Sequence, residues 1–122
     1  YDGTYLWVLN TYYQHVRKYT TAGVYQNVSF SVNAQDTNCH GLTWDGTHFW
    51  MSGRNSDTLF QYTAAGVFTG VSFSLASQGT SPYGVWVIGP ITDSAYKYQN
   101  QIGVATSANA PDRGHQNYVR IK

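Results

Sequence analysis

An internal repeat constrains the fold of this chain more than any other feature of its sequence. A shift of 43 residues aligns Asp2-Gly3-Thr4 with Asp45-Gly46-Thr47 and Trp7 with Trp50. In the same ungapped register, the segments that begin at residues 19, 22 and 28 match those that begin at 62, 65 and 71. Self-similarity at this period indicates tandem structural units that pack against their neighbours.

The complete second copy predicts four short strands, over residues 41–44, 47–52, 58–63 and 67–75. Asp45-Gly46 predicts a two-residue hairpin turn between the first two strands, with positive φ at both positions. In the fourth strand, the alternating apolar residues from Val67 to Leu75 predict one buried face.

Four short antiparallel strands in a 43-residue unit are typical of a β-propeller blade. We therefore predict an all-β chain of tandem four-stranded antiparallel blades, two to three in number, in an incomplete propeller or an open array. The single repeat domain, residues 1–122, divides into units 1–43 and 44–86 and a divergent closing unit, 87–122. At the start of the closing unit, Trp86–Tyr98 aligns with Trp50–Tyr62. A β-sandwich or meander with recurring strands is the alternative fold.

The first unit begins within a predicted strand, because Tyr1 aligns with Trp44. Propellers usually close with about four or more blades, so two to three blades leave sheet edges that another strand must cover. We therefore expect the partner to be a second copy, in a homo-oligomer or filament, or the remainder of a longer chain.

The composition argues against several other classes of protein. Charged residues make up 11% of the chain and aromatic residues 16%, which is atypical of disordered segments. The net charge of +1 and the absence of a basic stripe argue against nucleic-acid binding. No apolar run is long enough for a membrane span. The single cysteine, Cys39, has no partner for an internal disulfide.

The ionisable residues form no pattern that is typical of catalysis or of a metal site. The four histidines, at 15, 40, 48 and 115, lack the spacing of zinc ligands. Asp2 and Asp45 belong to predicted turns, and Asp57 and Asp93 recur in the turn before the third strand. Recurrence in each unit indicates a turn-forming role, because an active site needs a unique set of residues. We predict a non-enzymatic protein without catalytic residues, cofactor or metal.

The aromatic side chains suggest a second kind of function. The recurring tryptophans, Trp7, Trp50 and Trp86, are predicted to pack between units. Aromatic residues in or beside turns are the candidate sugar contacts: Tyr5, Tyr12, Tyr13, His48 and Tyr83. Such rings suit carbohydrate recognition, because sugar C–H faces stack on them while nearby amides meet the hydroxyls. The sequon at Asn27 makes that residue a candidate N-glycosylation site.

The string from Gly41 to Met51, followed by Asp57–Tyr62 and Gly66, resembles the repeat of the YncE-like, NHL-like and virginiamycin B lyase-like propellers. The segment Ser72–Pro82 looks like linkers between blades in surface and virion proteins of environmental phages and bacteria. The resemblance implies a structural or adhesion module of an extracellular or virion-surface assembly, such as a fibre, an appendage or a filament. The lyase-like members rely on histidines and a bound magnesium, for which no matching cluster is present. A carbohydrate-binding propeller is the second hypothesis, and a fragment of a propeller enzyme is the third.

Overall fold

The computed structural model describes residues 1–88, 101–105 and 118–119. Within these residues the chain is entirely β, with antiparallel pairing throughout and no helix. The strands are β1 (Leu6–Asn10), β2 (His15–Tyr19), β3 (Tyr25–Ser31), β4 (Cys39–Trp44), β5 (Phe49–Gly53), β6 (Thr58–Tyr62), β7 (Phe68–Ser74), β8 (Gly84–Ile88), β9 (Gln101–Ala105) and β10 (Tyr118–Val119).

These strands form three sheets that follow one another along the chain. The first sheet has the order β1-β2-β3, the second β4-β5-β6-β7, and the third β8-β9-β10. The predicted all-β class with antiparallel units is therefore confirmed, and the second sheet has the predicted four strands. Closure of the units into a propeller stays a prediction.

The turn between β4 and β5 differs from the predicted two-residue hairpin. It spans residues 45–48, since Trp44 pairs with Phe49, and only Gly46 has a positive φ, at 99°. The prediction of positive φ at Asp45 is wrong. The reason is that the Asp45 carboxylate accepts hydrogen bonds from the backbone N–H groups of Thr47 and His48, at 2.8 and 2.7 Å. An Asx turn of this kind needs no left-handed conformation at the aspartate.

The turn between β2 and β3 repeats atom for atom in the turn between β6 and β7. The Thr63 hydroxyl accepts the N–H of Val67 at 3.1 Å, and the Thr20 hydroxyl accepts the N–H of Val24 at 3.0 Å. Gly66, at φ 81°, also lies so close to Phe30 of the first sheet that a Cβ atom would approach its ring within 2.2 Å. The repeated motif thus sets the turn and also makes room for the neighbouring sheet.

The hydrophobic core lies in two layers between successive sheets. The layer between the first and second sheets contains buried Val16, Phe49, Met51 and Tyr62. The layer next to the third sheet contains the buried residues Trp50, Leu59, Leu75 and Val85. Because alternate residues of a strand point to opposite faces, the second sheet contributes one face to each layer.

The predicted buried face of the fourth strand is found only in part. Leu75 is fully buried but lies just after the strand, and Val71 and Phe73 within it are 39% and 36% exposed, although Phe73 stacks on Trp50 with ring centroids 5.8 Å apart. Val67 is 61% exposed. The reason is that the strand begins at Phe68, so that Val67 belongs to the turn.

The third sheet begins directly with β8, which lies beside β4. The N–H of Val87 donates to the Thr43 hydroxyl at 3.1 Å, and a Cβ atom on Gly41 would lie 2.7 Å from the backbone nitrogen of Val85. Trp86 therefore lies in the first strand of the third sheet, at the position that Thr43 occupies in the first strand of the second sheet. The predicted equivalence of Trp86 with Trp50 is wrong, because Trp86 lies in β8, at the edge of its sheet beside β4, whereas Trp50 lies in β5, the second strand of its sheet. The rest of that alignment, including Asp93 and Tyr98, lies outside the described residues.

Candidate functional site: the open face of the first sheet

Each Asp-Gly-Thr motif anchors the tryptophan that follows it. The indole nitrogen of Trp50 donates to Asp45 Oδ2 at 2.6 Å, and that of Trp7 donates to Asp2 Oδ2 at 2.7 Å. The other carboxylate oxygen of each aspartate accepts two backbone N–H groups in the turn. Both carboxylates are therefore occupied by the repeat itself, in agreement with their predicted turn-forming role.

The surroundings of the Asp2 carboxylate also lower its pKa. Burial alone would raise its pKa, but the hydrogen bonds from Trp7, Tyr5 and Thr4, together with the Lys18 ammonium, outweigh burial and lower the pKa. A carboxyl group with a lowered pKa stays ionised under ordinary conditions, which suits a permanent hydrogen-bond acceptor rather than a proton donor.

The interface between the first and second sheets shows how two units pack. Phe49 of β5 contacts Trp7 and Phe30 of the first sheet, with ring centroids 4.8 and 5.6 Å away. Tyr62 of β6 contacts the same Phe30 at 5.9 Å. One face of the second sheet thus packs against the first sheet, on the face opposite to its own equivalent there, and aromatic side chains from both sheets take part in the contact.

The same face of the first sheet is uncovered. Leu6 and Val8 are 39% and 49% exposed, whereas their equivalents in the second unit, Phe49 and Met51, are 1% and 0% exposed. Three further residues complete this surface on the neighbouring strands β2 and β3, and we call the set the open face: Leu6, Val8, Arg17, Tyr19 and Tyr25. Tyr19 and Tyr25 lie with their ring centroids 5.5 Å apart.

Strand β1 also has an open edge. In the second sheet β5 pairs with β4 on one side and β6 on the other, whereas in the described part of the chain β1 pairs with β2 alone. A strand edge with free N–H and C=O groups is a site for pairing with another strand. The open face and the open edge belong to the same strand, so one partner could cover both.

The five candidate sugar contacts do not form one site. Tyr5 and His48 lie at the end of the sheets that holds the Asp-Gly-Thr turns. Tyr12, Tyr13 and Tyr83 lie at the opposite end, at the turn after β1 and before β8. Tyr12 is 85% exposed and packs edge-to-face on Tyr13 at 4.9 Å.

Tyr83 belongs to a small cluster at the entry to β8. The guanidinium of Arg54 lies 4.6 Å from the centre of its ring, and the His40 ring lies 5.3 Å away on edge. The His40 ring nitrogen Nε2 is 2.8 Å from Asn38 Oδ1. The contacts of Tyr83 are thus made within the chain, between the second and third sheets.

A cleft of about 390 Å³ at the Asp-Gly-Thr end is lined in part by Tyr5, one of the candidate sugar contacts. It opens between the first and second sheets, and the side chains that line it include Asp2, Trp7, Lys18, Trp44 and Phe49. Lys18 was not singled out from the sequence, because it is distant from the other residues along the chain. The pairing of β1 with β2 places Lys18 opposite Trp7, and the packing of the second sheet adds Trp44 and Phe49.

Asn27 lies within β3 and has a positive φ of 55°. Its equivalent in the second unit is Gly70, at φ 88°. Both residues occur where the pairing register shifts, between β2 and β3 for Asn27 and between β6 and β7 for Gly70. Asparagine tolerates this left-handed conformation better than most residues. Asn27 is exposed, and its glycosylation stays a prediction.

Cys39 and Tyr62 are buried in the layer between the first two sheets. Burial is the main cause that raises the pKa of Cys39 to about 12, and the negative charge of Asp36 adds to this effect. Burial also raises the pKa of Tyr62, whose hydroxyl donates to Gln35 Oε1 at 2.7 Å. These shifts favour the neutral thiol and phenol, so neither group is prepared to act as a nucleophile.

Among the described residues, no three His, Cys or Asp side chains lie together in a way that could hold a metal ion. The same residues include no helix that is both long and apolar enough to cross a membrane. His115 and Asp112 lie outside the described residues.

The fold and the open face define a class, an antiparallel β-repeat protein with an uncovered packing surface. No family model, curated protein or solved structure matches this chain.

Proposed function

We propose that this protein is a non-catalytic structural or adhesion module that works by association of its units with those of a second copy. The observation that carries the proposal is the open face, where Leu6 and Val8 are exposed while Phe49 and Met51 are buried in the equivalent positions. The open face has the geometry of a buried packing surface, but its covering sheet is absent from the described residues.

The composition of the open face also supports a protein partner. Where the second sheet has Phe60 and Phe68, the open face has Arg17 and Tyr25. Tyrosine and arginine are enriched in protein interfaces, because each combines a large contact area with hydrogen-bond donors. A face with this composition tolerates water in the free protein and still packs well against a partner.

The third sheet offers the matching surface in another copy. Val85 and Val87 of β8 pack against the second sheet, so Trp86 between them lies on the far face of that strand. The far face of the third sheet then meets the open face of the next copy, which repeats the stacking already present between the first and second sheets. Such a head-to-tail contact closes into a ring or continues as a filament.

The extracellular or virion-surface setting, in a fibre, an appendage or a filament, rests on the resemblance of the repeat to surface-protein blades. The two hydrophobic layers between successive sheets, of which the first is rich in aromatic side chains, support a mechanical role. Enzymatic activity has no support in the described residues, and its absence stays a prediction.

Sedimentation velocity over a wide concentration range tests the proposal. We expect the chain to self-associate, and we expect Val8→Glu to weaken association about tenfold, or about 1.4 kcal/mol, because it places a charge in the interface. Val67→Glu is the matched control, since Val67 is 61% exposed in a turn away from the open face. Far-UV circular dichroism shows whether both variants keep the β fold.

A wild-type chain that stays monomeric at all concentrations would refute self-association and leave a segment of a longer chain as the occupant. Equal weakening by the two valine substitutions would also count against the open face, since it would indicate a general effect of added charge.

A further inference from the structure

The cleft between the first and second sheets has the size and lining of a small-ligand site. Its volume of about 390 Å³ falls within the range of about 300–1,000 Å³ that is usual for such pockets. It lies within one chain and away from the open face, so an inference about it is independent of the assembly proposed above.

Aromatic rings form the apolar part of the cleft. Phe49 is almost fully buried, and Trp7 and Trp44 flank it with ring centroids 4.8 and 4.7 Å from that of Phe49. Both tryptophans are partly exposed. Indole faces at the edge of a cleft are suited to contact with the C–H face of a pyranose ring.

Lys18 supplies hydrogen-bond donors beside these rings. Its ammonium lies 3.8 Å from the ring centre of Tyr5 and 5.4 Å from that of Trp7. Within the described part of the chain, its N–H groups enter no hydrogen bond or ion pair. The cation–π contacts therefore fix the ammonium at the cleft and leave its donors available for a ligand oxygen.

The charge of the cleft favours a neutral ligand. The negative Asp2 lies on the same wall as the positive Lys18, and the two interact through space. The oxygens of Asp2 already accept three N–H groups from Thr4, Tyr5 and Trp7. The local field is thus nearly balanced, and a polyol with one apolar face fits it better than an anion does.

The side chains that line the cleft are not repeated in the second unit, although the scaffold around them is. In the second unit, His48 replaces Tyr5 and Gln61 replaces Lys18, and Gln61 is already used as the acceptor of the Thr69 hydroxyl at 2.9 Å. At the position of Trp44, the third unit has Val87. Residues that recur in every unit serve the fold, whereas this combination occurs once, as a binding site requires.

We infer that the cleft bounded by Trp7, Trp44 and Lys18 binds a neutral pyranose unit of a glycan. The sugar places its apolar face on the indole rings, and a ring hydroxyl accepts a hydrogen bond from the Lys18 ammonium. This deepens the adhesion role, because a module of a surface assembly that binds sugars can attach to a glycan-bearing surface.

Saturation-transfer NMR with methyl glycosides of mannose, galactose, glucose and N-acetylglucosamine tests the inference, with glucuronic acid as the charged comparison. At about 10 mM ligand, which is ten times a Kd of about 1 mM, at least one neutral glycoside should receive saturation, mostly on the ring protons of one face. Lys18→Met should weaken that binding about tenfold. Gln61→Met is the matched control in the second unit and should leave binding unchanged.

Trp44→Leu gives a second test of the stacking surface and should abolish the saturation of the ring protons. Its fold is checked by circular dichroism, and Lys18→Met keeps the inference testable if Trp44→Leu does not fold. The inference is overturned if no neutral glycoside binds, if only glucuronic acid binds, or if Lys18→Met and Gln61→Met have the same effect. Loss of self-association in the sedimentation experiment would leave this result unaffected.

Discussion

The hydrogen bond between Trp50 and Asp45 gives the sharpest test of how the repeat works. In Asp45→Asn, Oδ1 can still accept the two backbone N–H groups of the turn, whereas an amide NH₂ replaces the Oδ2 that accepts the indole N–H at 2.6 Å. Two donors then face each other beside a tryptophan that is only 2% exposed. The substitution therefore isolates one charge-assisted hydrogen bond and leaves the turn intact.

The expected cost follows from the type of bond. Hydrogen bonds to a charged group contribute about 1.5–3 kcal/mol, and we expect Asp45→Asn to lower the free energy of unfolding by about 2 kcal/mol because the acceptor is only partly buried. In a Trp50→Phe background the same change should cost no more than about 0.5 kcal/mol, since no indole donor remains. The coupling energy of this double-mutant cycle is then about 1.5 kcal/mol.

Urea denaturation followed by far-UV circular dichroism measures the cycle without relying on tryptophan emission. With a slope of about 2 kcal/mol per molar urea, the single substitution should move the midpoint by about 1 M. The matched cycle of Asp2→Asn and Trp7→Phe should give a smaller coupling energy, because Trp7 is more exposed than Trp50. If Asp45→Asn costs the same in both backgrounds, the indole bond contributes nothing and the reasoning fails.

Three further predictions concern single groups. Gly41→Ala should lower the free energy of unfolding, measured by urea denaturation, by about 1–3 kcal/mol, because its Cβ would lie 2.7 Å from the backbone nitrogen of Val85. Gly46→Ala is the control and should cost only about 1 kcal/mol, because its Cβ meets no atom and only its positive φ is unfavourable. A larger loss for Gly46→Ala than for Gly41→Ala would contradict the close approach of β4 and β8. The pKa of Cys39 is raised from 9.0 to about 12 in the folded protein. At mildly alkaline pH its thiol should therefore react with a disulfide reagent about a thousandfold more slowly in the folded protein than in the urea-unfolded chain. Equal rates would show that the thiol is accessible in the folded protein. Because the pKa of Asp2 is lowered from 3.8 in the fold, its contribution to stability is present above about pH 4 and is lost as the pH falls through the lower folded value. Asp2→Asn should therefore be less stable than wild type at neutral pH, and the difference should shrink as the pH falls below about 4. A difference in the free energy of unfolding that is independent of pH would contradict this linkage.

The local structure of the repeat follows from the sequence alone. The Asp-Gly-Thr motifs, the threonine turns and the alternation within strands act over a few residues, so their consequences can be read without knowledge of the neighbours. This is why four strands were predicted for the second unit and found there, with β6 at Thr58–Tyr62 against a predicted 58–63. The same local rules predicted a positive φ at Asp45, which is wrong, because hydrogen bonds to the Asp45 carboxylate set the conformation of this turn.

Which faces are covered, and which residues meet across the sheets, follows from the packing of the sheets against one another. Leu6 and Phe49 occupy equivalent positions in the repeat, and nothing local in the sequence distinguishes the exposed one from the buried one. Likewise, Lys18 and Trp44 line the same cleft although they are distant in the sequence. Trp86 lies in the first strand of the third sheet, which packs beside β4. The physical reason is that burial depends on which sheet lies opposite, which is a property of long-range packing and not of the spacing of residues along one strand.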